Sequence, residues 1–175
     1  MEPRLELVLE FVNTHDLESA IDELSTPAQL AAWMRANHIP ADATPTEAEY
    51  RRVIELRDRL RALGEANNGG AAPIGGLAAL NAAAELAPLR VEFARGAYSL
   101  EPARPGVDGF VAALLSGVAG ALADGTWSRV KACRNHGCRW LFLDTSRNRS
   151  RTWCTMAICG SRMKSRAYRR RRASA

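Results

Sequence analysis

The chain has 175 residues and 47% hydrophobic content, which suits one ordinary domain, or a modest domain with a small appended module, and excludes general disorder. Its net charge of +5 hides a partition. Residues 1–126 carry ten Lys and Arg against eighteen Asp and Glu, a net of −8, while residues 127–175 carry fourteen against the single acid Asp144, a net of +13. No apolar run reaches the roughly 18 residues of a membrane span, and "MEPRLELVLEFVNTHD" lacks a signal-peptide pattern, so a cytoplasmic protein with reduced thiols is expected.

The first part reads as helical. Leu5, Val8, Leu9 and Val12 follow the i, i+3, i+4, i+7 spacing of an amphipathic helix. In "STPAQLAAWMRANH", Thr26 is an N-cap and Pro27 opens the helix. Thr46 with Glu49 forms a capping box ahead of an apolar face at Val53, Leu56, Leu60 and Leu63, and Asn-Asn-Gly-Gly ends that helix. A further helix is expected through "IGGLAALNAAAELA". The pattern then alternates at Leu89, Val91 and Phe93 around Arg95-Gly96, which predicts a β-hairpin near 89–100. "VDGFVAALLSGVAGALADG" returns to helix, with Asp108 as cap and Phe110, Leu114, Val118 and Leu122 inside. No internal repeat is visible.

All four cysteines fall near the C-terminus, spaced Cys133-x4-Cys138-x15-Cys154-x4-Cys159. Two close pairs separated by a longer segment are how a structural zinc site collects four thiolates, because each pair is brought to the metal by a local turn. A gap of four is wider than the common two, and two disulfides or four unrelated buried thiols are the alternatives. Cys133-x2-His136 is also feasible ligand spacing. A site of four thiolates holding one Zn²⁺ per chain is preferred, with His136 exposed or touching nucleic acid.

"WSRVKAC" and "CRWLFLD" read as two short strands joined at a metal knuckle. Cys154 and Cys159 cannot both lie mid-helix and face one metal, since positions i and i+5 differ by about 140° around an α-helix. Cys154 therefore precedes the helix or begins it, with Thr155 and Ser161 both suitable caps. The helix runs from about 162 towards 171, with Met163 and Ala167 on one face and Arg162, Arg166 and Arg169 in a stripe. The fold class expected is mainly α with a small β-hairpin (α+β): a helical domain at 1–126 and a treble-clef-like zinc finger at 127–175.

The segment "CRWLFLDTSRNRSRTWCTMAICGSRMKSRAYRRR" resembles the CGNR zinc finger family, named for a Cys-Gly-Asn-Arg signature, with the likeness running across 133–170. Ser161 stands where that signature has Asn. The first part is similar to the alanine-rich, tryptophan-containing (ABATE) domain that accompanies such fingers, which opens with a pattern like "LEFVNTHD". The resemblance implies a zinc-dependent, DNA-binding bacterial transcription regulator, stress-linked, whose front domain senses a ligand.

The charge partition agrees with a polyanion partner. Arginine outnumbers lysine (only Lys131 and Lys164 occur), and its planar fork suits phosphate or guanine. Candidate nucleic-acid contacts are Arg147, Arg149 and Arg151 in the loop before Cys154, and Arg162, Lys164, Arg166, Arg169 and Arg170 along the helix. Double-stranded DNA is the expected partner, with location at the nucleoid when bound and a homodimer matching two-fold sites. RNA is the rival, since Trp127, Trp140, Phe142, Trp153 and Tyr168 could stack on bases, although a small zinc module needs most of them as core. A small-molecule effector is expected near Phe11, Asn13 and Thr14, where polar groups close an apolar helix face. An enzyme reading of Asn13, Thr14, His15 and Asp16 lacks a nucleophile–base pair; a helix-ending cap explains the same residues, and no enzyme and no membrane partner are expected.

Overall fold

A computed structural model of the chain describes residues 2–41 and 43–173. Helix α1 (Pro3–Asn13) starts where the Glu2 carboxylate accepts the Arg4 and Leu5 N–H groups, and it buries Leu5, Val8, Leu9, Phe11 and Val12. A two-residue ladder follows, β1 (His15–Asp16) with β2 (Ile21–Asp22), which the sequence pattern does not announce. Helix α2 (Pro27–Ala36) is capped by Thr26, and α3 (Glu47–Asn67) opens on the Thr46–Glu49 capping box. After α4 (Gly76–Leu86), strands β3 (Leu89–Ala94) and β4 (Ala97–Pro102) form the expected hairpin, paired from Leu89 with Pro102 to Ala94 with Ala97. Helix α5 (Gly106–Ala123) leads through a 3₁₀ turn at Thr126–Arg129 into β5 (Val130–Ala132) and β6 (Leu141–Leu143). A π turn at Met156–Gly160 runs into α6 (Ser161–Ala173).

The core gathers around α5, which packs against α1. Phe110 of α5 meets Phe11 edge-on at 5.1 Å, and Trp33 closes the trio at 5.9 and 5.6 Å. Two sequence expectations fail here. Pro105, not Asp108, holds the α5 N-cap position, because the extended Pro105 lets the helix begin two residues ahead of Asp108. Asp108 then sits in the first turn, within 3.5 Å of Arg52 and 3.7 Å of Arg104. Leu122 is 56% exposed although Phe110, Leu114 and Val118 are buried. Each step of four residues turns about 40° around a helix, so three steps carry Leu122 about 120° away from Phe110. Helix α5 spans 18 residues of mean hydropathy 1.7, a length and composition that could cross a membrane, and 61% of it is buried among the other elements, as in a core helix.

Charged groups lock the front of this core. Arg57 of α3 is 1% exposed and donates two parallel hydrogen bonds to the Asp22 carboxylate at 2.7 and 2.6 Å, while also donating to the Thr14 hydroxyl. Burial pushes the Asp22 carboxyl up, but its bonds to Arg57 and to the Leu24 N–H outweigh that and leave it lowered. Arg61 donates to the carbonyls of Val12 and His15, holding the end of α1 against β1.

The zinc-ligand hairpin is not a separate lobe. Trp127, Val130, Ala132 and Leu141 belong to the same apolar core as α1, α3 and α5. Gly64 explains how β5 and β6 come so close to α3: a Cβ there would lie 2.4 Å from Leu141 Cδ1 and 3.3 Å from the Ala132 nitrogen.

Candidate metal centre and nucleic-acid surface

The knuckle between β5 and β6 is built by backbone bonds. Cys133 N–H donates to the Trp140 carbonyl at 2.9 Å, and both Cys138 and Arg139 N–H groups return to the Asn135 carbonyl at 2.7 and 3.0 Å. Arg139 accepts a positive φ of 51° to close the turn. These bonds aim the Cys133 and Cys138 sulfurs to one side. Cys154 arrives just before the π turn, and Cys159 lies within it, where the Gly160 N–H reaches back to the Thr155 carbonyl. The π turn is how a five-residue spacing that a regular helix would splay by about 140° is brought to one point.

All four sulfurs lie within 4.8 Å of one another. The separations Cys138–Cys154 and Cys154–Cys159 are both 3.7 Å. A tetrahedron of Zn–S bonds near 2.3 Å has edges of about 3.8 Å, so the sulfur cage fits one zinc ion. The same distances exclude disulfides, whose sulfurs sit about 2.05 Å apart. His136 is exposed and stands outside the cluster. The Asn135 amide, 4% exposed, donates to the Cys159 sulfur at 3.5 Å. It supports a ligand from outside the sulfur shell.

The thiols' electrostatics fit a cation. Cys133 is drawn down to about 5, first by a hydrogen bond from Cys138 and further by the Cys154 and Asn135 N–H groups, against burial. Cys138 is pushed up because it donates that bond, and Cys154 is pushed up to about 11 by burial and the neighbouring Cys133 charge. One anionic sulfur thus raises its neighbours. A divalent cation reverses that repulsion and lets all four be thiolates together.

Asp144, the finger's sole acid, is fully buried and accepts from Lys131 Nζ at 2.7 Å, the Ser146 N–H and hydroxyl, and the Arg151 N–H. Burial pushes its carboxyl up, yet the Lys131 and Ser146 bonds hold it far below the usual carboxylate range. Lys131 also donates to the carbonyls of Arg149 and Arg151. This pair shapes the 145–151 loop that delivers Cys154. Residue typing alone left it unassigned, although one acid among fourteen cations was the available signal.

The candidate contact residues separate into groups. Arg147 and Arg149 are exposed on the loop. Arg151 is turned inward: it donates to the Trp153 and Cys154 carbonyls and lies 4.7 Å over the Phe142 ring. Along α6 no residue is buried, and only Met163 and Ala167 are half-covered. Arg162 pairs with Glu18 of the β1–β2 turn, while Lys164, Arg166, Arg169 and Arg170 are exposed on the helix. Of the aromatics, Trp127 and Phe142 are buried and Trp153 half-buried, but Trp140 and Tyr168 are exposed.

Phe11 is wholly inside the core. Asn13 donates to and accepts from the backbone of Leu141, and Thr14 is spent on the Phe11 carbonyl and Arg57. His15 lies in β1, and Asp16 caps its own turn through Glu18 N–H and the Ser19 hydroxyl. Beside them runs an open groove of about 750 Å³, walled by Glu6, Glu10, Glu23 and Trp33 on one side and Trp140, Leu143 and Thr145 on the other.

Four sulfurs on a hairpin knuckle and a helix-leading turn define a zinc-finger protein of treble-clef type, here joined to a helical domain. Residues 129–172 match the family described as "CGNR zinc finger", and residues 5–125, more than half of the chain, match the ABATE family, described as "Putative stress-induced transcription regulator". The chain belongs to the ABATE family and carries a CGNR zinc finger. No curated protein matches it.

Proposed function

We propose that the protein is a DNA-binding transcription regulator whose zinc finger meets duplex DNA through α6 and the 147–149 loop. The observation that carries this reading is α6 itself. Thirteen residues hold seven Lys and Arg and no acid, and none of them is buried. Packing supports this helix little and its charges repel, so a polyanion laid along it supplies the missing stabilisation. The −8 domain behind the finger is repelled by phosphates and turns the +13 face towards them. A cytoplasmic location, at the nucleoid when DNA is bound, goes with this function.

The groove beside Asn13 and Thr14 is the proposed effector site. It is favoured over the smaller apolar cleft of about 180 Å³ between α3, α4 and α5 because it touches both the helical domain and β6 of the finger, whereas that cleft is lined by the helical domain alone. RNA is the weaker reading: Trp140 lines the groove, and Arg172 lies 5.9 Å from the Tyr168 ring. Selection of bound sequences from random duplex DNA and random RNA in parallel tests the assignment. Enrichment of a duplex motif is expected; enrichment of RNA alone, or of no sequence in either pool, would overturn the regulator reading.

A further inference from the structure

Strands β3 and β4 form a two-stranded sheet with no third strand among the described residues. Such a hairpin is marginal alone and needs further strands or a packed face. Its base has one: Leu89 packs on the core and Leu100 is half-buried. Its outer half does not. Val91 is 52%, Tyr98 66% and Phe93 83% exposed, all on the same face because directly opposed residues share a side.

The unpaired edge has a definite parity. The turn at Arg95-Gly96, both at positive φ, closes on the pair Ala94–Ala97, and the Ala103 N–H donates to the Pro88 carbonyl at 3.0 Å. Residues 88, 90, 92 and 94 therefore direct their backbone groups towards β4. Leu89, Val91 and Phe93 direct theirs outward, where no backbone partner exists among the described residues. Pro102 opposite Leu89, with no N–H to give, obeys the same parity.

We propose that this edge pairs with the same edge of a second copy, β3 antiparallel to β3 about a two-fold axis at Val91. The charges select both partner and register. Arg90 and Glu92 flank Val91 symmetrically, so pairing Val91 with its copy sets each Arg90 across from the other chain's Glu92, and Leu89 across from Phe93. The neighbouring registers with the same parity centre on Arg90 or on Glu92 and place like charges opposite each other, which is destabilising. Only the Val91 register is self-complementary in charge and joins the outward N–H and C=O groups. It also continues one apolar face, Val91, Phe93 and Tyr98, across four strands. The interface is isologous, as a two-fold dimer requires.

Sedimentation equilibrium of the full zinc-loaded chain without nucleic acid tests this independently of DNA binding. The wild type is expected at twice the 19.1 kDa chain mass. Arg90→Glu sets acid against acid twice per dimer and should weaken dimerisation roughly tenfold or more. The exchange Arg90→Glu with Glu92→Arg restores opposite pairs and should restore the dimer. Val91→Pro removes the central outward N–H while sparing the bonds to β4, and should yield monomer; if it disrupts the hairpin, the charge exchange decides. A monomeric wild type, a dimer indifferent to Arg90→Glu, or an exchange that fails to recover it would overturn the proposal.

Discussion

The side chain of Asn13 and the backbone of Leu141 exchange two hydrogen bonds, one donated to the carbonyl at 2.9 Å and one accepted from the N–H at 2.7 Å. The amide imitates one residue of a neighbouring strand, so the end of α1 completes the outer edge of β6. Replacing Asn13 with Ala leaves both Leu141 groups without partners beside the core, a loss of about 2–3 kcal/mol. Asn13→Asp keeps the acceptor and loses only the donor, and should fall between. Urea unfolding ranks the three proteins, and hydrogen exchange at the Leu141 amide should accelerate in Asn13→Ala.

Gly64 is the second fastening. An added methyl would press on Leu141, a side chain 1% exposed with nowhere to retreat. Gly64→Ala should cost about 1–3 kcal/mol through displacement of the hairpin. The helix-propensity gain from alanine works the other way, so a net increase in stability would show that the hairpin can slide.

The Lys131–Asp144 pair should be costly to break from one side. Asp144→Asn leaves a buried ammonium without its counter-ion, and about 3–5 kcal/mol is expected at neutral pH. The pH dependence follows from the direction of the shift. Asp144 is lowered in the folded state, so its contribution is complete above the unfolded value near 4 and fades as pH falls towards the lower folded value. Denaturation of wild type and Asp144→Asn should therefore differ most at neutral pH and converge on acidification below about 4.

Zinc content should be one per chain by elemental analysis, and Cys154→Ser with Cys159→Ser together should abolish it. The sulfurs and Phe142 form a small cluster apart from the main core. Chelation should release residues 145–173 to rapid hydrogen exchange while α1, α3 and α5 keep their protection. Loss of protection throughout the chain would mean that the metal supports the whole fold.

On DNA, Arg162→Ala with Arg166→Ala should cost more on a selected site than on random duplex if these side chains reach bases. Replacing Arg169 to Arg172 should weaken both equally and flatten the salt dependence, by about 0.9 in log–log slope for each phosphate contact removed. Glu18→Gln releases Arg162 from its acidic partner and should strengthen duplex binding.

Local chemistry was legible in the residues wherever a short pattern suffices. The Thr46–Glu49 box, the Thr26 cap, the Arg95-Gly96 hairpin and each of the two close cysteine pairs are determined within a few residues of chain, and each is present. What escaped were relationships across long separations. Asn13 meets Leu141 128 residues away, and Arg57 reaches Asp22 across 35. A lone asparagine at the end of a helix looks identical whether it caps its own turn or another strand. Arg151, a candidate nucleic-acid contact by sequence, escaped for the same reason: it is drawn inward, as Lys131 is, by groups that only the folded loop assembles.

The hairpin's place in the common core bears on inheritance. The finger cannot be exchanged between proteins as a bead on a string, because its inner face is cut to fit Asn13, Gly64 and Asn68, the last holding the Ala132 and Thr152 carbonyls at 2.7 and 2.9 Å. A transplanted copy would arrive with Val130, Ala132 and Leu141 wet. Substitutions at 13, 64 and 68 should accordingly be tolerated over generations only in step with changes at 132, 141 and 152, so that the two halves of this gene drift as one.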